Sequence, residues 1–325
     1  MTFNPIARNF STSYIKIKSA LRQIGFVRQI YRLFRKENKF SSTSYEYLST
    51  LSNDELLSLM RHESHRIEKT IYNNILEKKH DTYQRKWDKL TVIYQVLKAR
   101  NFSDSEPTLI WSKKIYHAFN DLDCSFIKPN SLIPQEFQPA EVPKFVSFLS
   151  SRRSVRVWAD SQPDQDTLAA IANQMIDAAR WAPTSGNRQP WRFAILTEQQ
   201  DKNLLKGIKE EHCTNAPLLI FVGMDSRVYG SLGQQERSTY IDAGAATMQM
   251  VLAAHKSGLG VCWNHFADDL IDSRESNKKI YANFIKELEI PEYITPIAII
   301  AAGVPEFIPP QPARIDVENL IMHRS

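Results

Sequence analysis

The chain has 325 residues, room for two domains, and its 42% hydrophobic and 24% charged content is that of a globular protein, which argues against a fibrous or low-complexity one. No apolar run approaches the ~20 residues that cross a bilayer. Cys124, Cys213 and Cys262 show no paired spacing, which argues against a disulfide scaffold and for a reducing, cytoplasmic compartment, and the net charge of +5 is unevenly placed.

Residues 1–40 carry nine basic side chains (Arg8, Lys16, Lys18, Arg22, Arg28, Arg32, Arg35, Lys36 and Lys39) against one acid, Glu37, a net of +8. Ile17, Leu21, Ile24, Val27 or Ile30, Tyr31 and Phe34 recur through the segment at helical spacing. A basic amphipathic helix of this kind lies on an anionic membrane surface or meets a protein partner. The plainer reading is a helix packed on the protein with its charges solvated. Scarce acids with Ser and Arg also fit an organellar transit peptide, though no cleavage site is evident. No nucleic-acid-binding motif occurs, so no nucleic acid is expected as a partner.

Ser52-Asn53-Asp54-Glu55 is a capping box, in which the Ser and Glu side chains bond opposite backbone amides. A long helix is expected after it, carrying Leu56, Leu59, Glu63, Ile67, Ile71 and Ile75. A second runs from about Thr82 through Trp87, Leu90, Tyr94 and Leu97. A third follows Pro107, with Ile110, Trp111, Ile115 and Phe119. Within the first, His62-Glu63-Ser64-His65 places two imidazoles at i and i+3, not at the i and i+4 of the zinc-protease helix, and offers no third ligand. A helix surface with Glu63 paired to Arg66 or a lysine explains the cluster, and no metal is expected.

Pro129, Pro134, Pro139 and Pro143 punctuate a stretch without periodicity, which reads as a linker because proline cannot continue a helix or a central strand. The expected boundary is near residue 140, with a helical region over 1–140 and a second domain over 141–325. In the second, helix and strand patterns alternate: helices over 164–181, 199–211, 236–257 and 275–289, strands over 191–197, 217–224, 260–263 and 294–302. This supports an α/β or α+β domain. Ala243, Gly244, Ala246, Thr247 and Ala254 are small, so the 236–257 helix allows close approach and is expected in the core or at a dimer contact.

Between the first helix and strand of this domain lies Ala182-Pro183-Thr184-Ser185-Gly186-Asn187-Arg188-Gln189-Pro190-Trp191. Pro183 stops the helix and Gly186 permits a tight turn. Two hydroxyls, an amide and a guanidinium on a loop fixed at both ends read as a binding site on a rigid scaffold, or more plainly as a polar connection.

Other motifs accompany this loop: Ser151-Arg152-Arg153-Ser154-Val155-Arg156-Val157-Trp158 upstream; Asp242-Ala243-Gly244-Ala245-Ala246 and Ala253-Ala254-His255-Lys256-Ser257-Gly258-Leu259-Gly260-Val261-Cys262-Trp263 downstream; then Gly303-Val304-Pro305 and Arg314. In this order and at these spacings the chain resembles the FMN-dependent nitroreductase-like superfamily over about residues 145–325. The resemblance does not extend to the first 140 residues. It implies an α+β fold with a mixed, mostly antiparallel sheet flanked by helices, assembled as an intertwined homodimer.

No phosphate-binding glycine loop occurs, so an anion must be held by side chains. The resemblance assigns the FMN phosphate to Arg152 and Arg314, its ribityl end to Arg153 and Ser154, and the flavin pyrimidine edge to Arg156, where a cation offsets negative charge on reduced flavin. Pro183, Thr184, Ser185 and Asn187 are implied to reach FMN held mainly by the other subunit, while Gln189 and Trp191 shape the loop. Asn264 and His265 replace the small residue whose amide faces flavin N5 in many relatives. His265 then either enters the substrate cavity as a catalytic proton donor or packs on the surface. Pro312 stands where several relatives carry another basic residue. From 206–215, Lys209 is the candidate to face the pyrimidine.

The implied activity is an FMN-dependent oxidoreductase that passes hydride from NAD(P)H through flavin N5 to a small acceptor such as a nitroaromatic, a quinone or an unsaturated metabolite. Two alternatives remain open: a flavin dehydrogenase acting on a larger, peptide-like substrate held by the N-terminal helices, and a flavin-holding scaffold without turnover.

Overall fold

A computed structural model describes residues 43–72, 76–120, 138–230, 232–266 and 274–324. The basic segment 1–40, Pro129, Pro134, Ile75 and Cys124 lie outside the described residues. Two structural parts follow one another along the chain.

The first is helical: α1 (Tyr45–Leu48), α2 (Asn53–Tyr72), α3 (Leu76–Ala99) and α4 (Pro107–Asn120). The capping box forms reciprocally, Ser52 N donating to Glu55 Oε2 at 3.2 Å and Glu55 N to Ser52 Oγ at 3.3 Å. α2 packs on both α3 and α4 around Leu56, Met60, Ile67, Leu90, Ile93, Leu97, Ile115 and Phe119, all buried. α3 begins six residues before the expected Thr82. Ile110, expected to face inward, is exposed; the buried face of α4 is set instead by Thr108, Leu109, Ser112, Ile115 and Phe119. His62 and His65 diverge: His65 Nδ1 pairs with Glu68 Oε2 at 3.1 Å, while His62 turns toward Gly186. Glu63 is buried, between Lys86 at 3.6 Å and Arg66 at 4.0 Å.

Pro139 and Pro143 do not lie in an unstructured linker. They occupy the first turns of a 3₁₀ helix (Pro139–Glu141) and of α5 (Val142–Ser151), where the missing amide hydrogen would have had no helical partner.

The rest is α+β: α6 (Gln165–Ala179), β1 (Trp191–Leu196), α7 (Gln199–Asn203), α8 (Glu211–Thr214), β2 (Leu218–Asp225), α9 (Leu232–Lys256), β3 (Gly260–His265), α10 (Glu275–Glu287), β4 (Ile294–Gly303) and α11 (Val317–Leu320). The sheet order is β1-β2-β4-β3 and all three pairings are antiparallel; a parallel bridge joins Ser154 to Val261 at the sheet edge. β2 is buried along its whole length because apolar layers cover both sheet faces. One layer holds Ile220, Val222, Ile300 and Val261 against α6 and α9; the other holds Leu219, Phe221, Cys262 and Ile299 against Leu205, Phe266 and Phe284. The small residues of α9 serve this packing: Ala243, Ala246, Thr247 and Ala254 are buried. The expected 199–211 helix is split into α7 and α8, because Gly207 takes a left-handed conformation (φ 92°) between them.

The two parts touch directly. Arg192 pairs with Asp54 at 2.9 Å, Arg227 lies 3.7 Å from Glu55, and α2 also packs on the 185–188 turn.

Candidate active site

The arginine segment is laid against the edge of the sheet. Val155 N donates to Val261 O at 3.0 Å, Ala159 N to Val304 O at 2.9 Å and Glu306 N to Val157 O at 3.1 Å, so residues 154–159 are stitched to the start of β3 and the end of β4. Val155 is buried, which orients its neighbours outward. Arg152 and Arg153 line a cavity of about 160 Å³ with Ser151, His255, Gly258, Gly260 and Ile308. Arg153 Nη1 donates to the carbonyls of Ser150 (2.6 Å) and Arg152 (2.9 Å), and its buried Nε has no partner among the described residues. Arg156 is exposed and lines an adjoining cleft of about 440 Å³ with Trp158, Gln162, His212 and Asn215. Among the described residues, none of these three guanidiniums forms an ion pair with a carboxylate. A cluster of cations without counter-charge beside a cavity suits an anion.

The strand expected to end at Trp263 runs on. β3 continues through Asn264 and His265, paired with Ile299 and Ala298. Asn264 is held by its own sheet, Nδ2 donating to Cys262 O at 3.0 Å, and its Oδ1 lies 2.9 Å from His212 Nε2. His212 Nδ1 lies 3.0 Å from Glu210 Oε2. Both partners present acceptor oxygens, so the imidazole is held from both of its ring nitrogens. Lys209 Nζ donates to the carbonyl of His265 and sits 5.3 Å from the Phe266 ring centre. His265 itself is exposed. Cys213 and Cys262 are buried free thiols; burial pushes Cys213 up to about 12 and raises Cys262 as well, so both act as packing groups.

The 182–191 loop lies elsewhere. Gly186, Asn187 and Gln189 all have positive φ, 65°, 54° and 53°. Ser185 N donates to Asp242 Oδ2 at 3.0 Å, and the same oxygen accepts the Tyr229 hydroxyl at 2.7 Å. Burial raises Asp242 above the usual carboxylate range. Gln189 N donates to Thr184 Oγ1 at 3.3 Å, its Nε2 to Asn187 Oδ1 at 3.0 Å, and Trp191 Nε1 to Asp242 O at 3.4 Å, so Gln189 and Trp191 shape the loop as expected. Pro183 is exposed and Thr184, Ser185 and Asn187 are half-buried. Arg188, which looked from the sequence like a loop cation, is turned inward and buried, its Nη1 donating to Ser185 O.

Within one chain these groups form two half-sites. Asp242 anchors the loop near the middle of α9, and His255 lines the arginine cavity at its C-terminal end. Thirteen residues of helix separate them, ~20 Å at the helical rise. Arg314 belongs to neither. It lies on the exposed tail after β4, where its Nη1 donates to Ala313 O, and is not brought to Arg152 within the chain.

Sequence reading missed His212, Asp242 and Tyr229 as supporting groups, and all contacts from α2. Apart from Glu210 beside His212, the partners named above are 13 to 172 residues away, beyond any local pattern.

A sequence model of the Nitroreductase family matches residues 149–212 and 200–304. A Methanothermobacter thermautotrophicus protein with the provisional name NADH dehydrogenase/NAD(P)H nitroreductase is 27% identical over 162 residues, 48% of this chain and 75% of that one. An Archaeoglobus fulgidus protein of the same provisional name is 29% identical over 167 residues, 50% of this chain and 85% of that one. Among solved structures, an FMN-dependent nitroreductase from Clostridium difficile R20291 is 23% identical with a TM-score of 0.44, covering 55% of this chain and 98% of its own. Residues 149–304 of this chain therefore belong to the nitroreductase-like superfamily.

Proposed function

We propose that the protein is an FMN-dependent NAD(P)H oxidoreductase that works as a homodimer. The observation carrying this reading is the set of three guanidiniums along β3 that form no carboxylate ion pair among the described residues, with the buried Arg153 Nε at the cavity wall lacking a partner among them. Arg152 and Arg153 would hold the phosphate and Ser154 the ribityl end. Arg156, with Lys209 nearby, would offset negative charge at the pyrimidine edge. Asn264 and His265 would present the β3 backbone to the reactive edge. When bound, the flavin supplies two-electron chemistry, accepting hydride from a reduced nicotinamide and returning it to a small acceptor. The chain's own work is to bind, orient and supply charge. His212, held by Glu210 and Asn264, would orient the polar wall of this cleft beside β3.

A second copy would complete the site. Residues 306–324, Pro309 apart, are exposed, and they carry Phe307, Ile308, Ile315, Val317, Leu320 and Met322. Val142, Phe145 and Val146 of α5 and Ile241 of α9 are exposed too. Apolar surface on this scale is covered in a stable protein. In a dimer wrapped by these tails, Arg314 and the 183–187 loop would reach the partner's arginine cavity.

The test is the absorption spectrum of the purified full chain before and after anaerobic NADPH. Visible flavin bands that bleach on addition are expected. A colourless chain that takes up no added FMN would sink the reading.

A further inference from the structure

The helical region lies outside the family match, yet it grips the loop most closely tied to the proposed cofactor site. The Arg188 carbonyl accepts from Ser58 Oγ and from Arg61 Nη2, each at 3.0 Å. Arg61, half-buried, is itself tied to α4 through Thr108 Oγ1 at 3.0 Å. His62 Nδ1 lies 3.3 Å from Gly186 O, and its Nε2 lies 3.4 Å from Arg188 Nη2. A neutral imidazole fits both contacts: Nδ1–H donates to the carbonyl and Nε2 accepts from the guanidinium. The approach is close enough to dictate sequence. A Cβ on Gly186 would stand 2.2 Å from His62 Nδ1 and 2.8 Å from Arg188 Nη1, so glycine is required here by α2 as well as by its φ of 65°.

We propose that α2 is a working part of the cofactor site, with Ser58, Arg61 and His62 as positioning residues that hold the 184–189 turn in the conformation that meets FMN. The inference rests on the flavin reading for its functional consequence and on the contacts for its structural one. Three left-handed residues in four positions make a turn with strong steric cost for non-glycine side chains. Such a backbone persists when its surroundings over-determine it. On the α9 side Asp242 takes the Ser185 amide of this turn, while the carbonyls of Gly186 and Arg188 meet side chains of α2. The helical region thereby couples its own integrity to cofactor affinity, which a separately tethered module would not do.

The experiment uses the full chain with Ser58→Ala, His62→Ala and His62→Gln. Amide hydrogen exchange at Ser185, Asn187 and Gln189 is measured without flavin, and FMN affinity, kcat and KM for NADPH are measured with it. His62→Ala and Ser58→Ala are expected to speed exchange about tenfold and to weaken FMN binding roughly three- to tenfold, with KM for NADPH nearly unchanged. His62→Gln should recover most of both, since a carboxamide can donate to Gly186 O and accept from Arg188. Ser58→Ala removes one hydroxyl and carries the test if the histidine variants do not fold. Unchanged exchange in both alanine variants would overturn the inference, as would weaker FMN binding with an unchanged turn. If the unaltered chain takes up no FMN, the flavin reading fails by itself, and exchange alone decides whether α2 holds the turn.

Discussion

Gly260 stands so close to Val155 that a Cβ on it would lie 2.7 Å from the valine Cβ. Its φ is not in the left-handed region, so glycine serves space and not conformation. This contact lets residues 154–159 lie flat on β3 and carries Arg152, Arg153 and Arg156 to the cavity edge. Gly260→Ala is expected to push the segment away, costing roughly 1–3 kcal/mol of stability by overpacking. Flavin retention after gel filtration should fall with no change in charge. A variant as stable and as yellow as the unaltered chain would show that the segment is not set by this contact.

The phosphate assignment predicts graded losses. A charge-assisted contact contributes about 1.5–3 kcal/mol, or roughly ten- to a hundredfold in affinity. Arg152→Ala should therefore release FMN in that range, and the Arg152→Ala, Arg314→Ala double variant should lose most of the colour. Fluorescence titration of the flavin-free chains measures each step. Full occupancy in the double variant would remove the arginines from the site.

Much of this architecture could be read from residue order. The alternating apolar positions of β1 and the continuous apolar runs of β2 and β4 gave these strands within one or two residues, and the capping box at Ser52 placed the start of α2. Errors arose where tertiary contacts override local pattern. Asn264 and His265 lie beyond the strand expected over 260–263, but ladder pairing to β4 extends it through them. Arg188 looked solvent-facing because nothing nearby in sequence announces Ser58, Arg61 or His62. The 199–211 helix was interrupted by one glycine that helical spacing alone does not weigh heavily enough. The hold of the helical region on the loop was equally illegible, because it is made of contacts about 125 residues apart.

His62 makes stability depend on pH in a definite direction. Burial first, then the neighbouring Arg188 and Arg66, hold its pKa at about 3, against the ordinary 6.5, with Lys86 adding to the effect and the Gly186 carbonyl opposing it. The folded chain stays unprotonated there while the unfolded imidazole takes a proton below 6.5. Stability from this group is therefore full above pH 6.5 and falls as pH drops toward 3, with a slope of at most ~1.4 kcal/mol per unit. Urea unfolding at pH 5 and pH 7 should show a smaller difference for His62→Gln than for the unaltered chain. Equal differences would mean that His62 titrates as it does in water.

The exposed tail predicts the assembly. Deleting residues 306–325 removes Phe307, Ile308, Ile315 and Leu320 along with Arg314, leaving β4 intact through Gly303. Sedimentation should change from dimer to monomer, and FMN should be lost with it. A truncated chain that remains dimeric would move the interface to α5 and α9 alone. A monomer that keeps stoichiometric FMN would contradict a site shared between subunits.

The basic segment 1–40 lies outside the described residues, so its prediction rests on charge and spacing. A net of +8 on an amphipathic stretch predicts association with an anionic membrane, because each basic residue near an anionic bilayer contributes about 1 kcal/mol. Binding to vesicles should rise with the fraction of anionic lipid and fall as salt is added, since surface charge is screened within ~10 Å at 0.1 M. The neutral-lipid control isolates the apolar contribution of Ile17, Leu21, Ile24 and Phe34. Deleting 1–40 should abolish vesicle binding and leave flavin content and NAD(P)H oxidation unchanged, because the contacts that hold the 184–189 turn come from α2, beginning at Asn53. If the shortened chain loses FMN, the segment packs on the protein and its charges are simply solvated. If the full chain binds neutral and anionic vesicles alike, charge is not what takes it to a membrane.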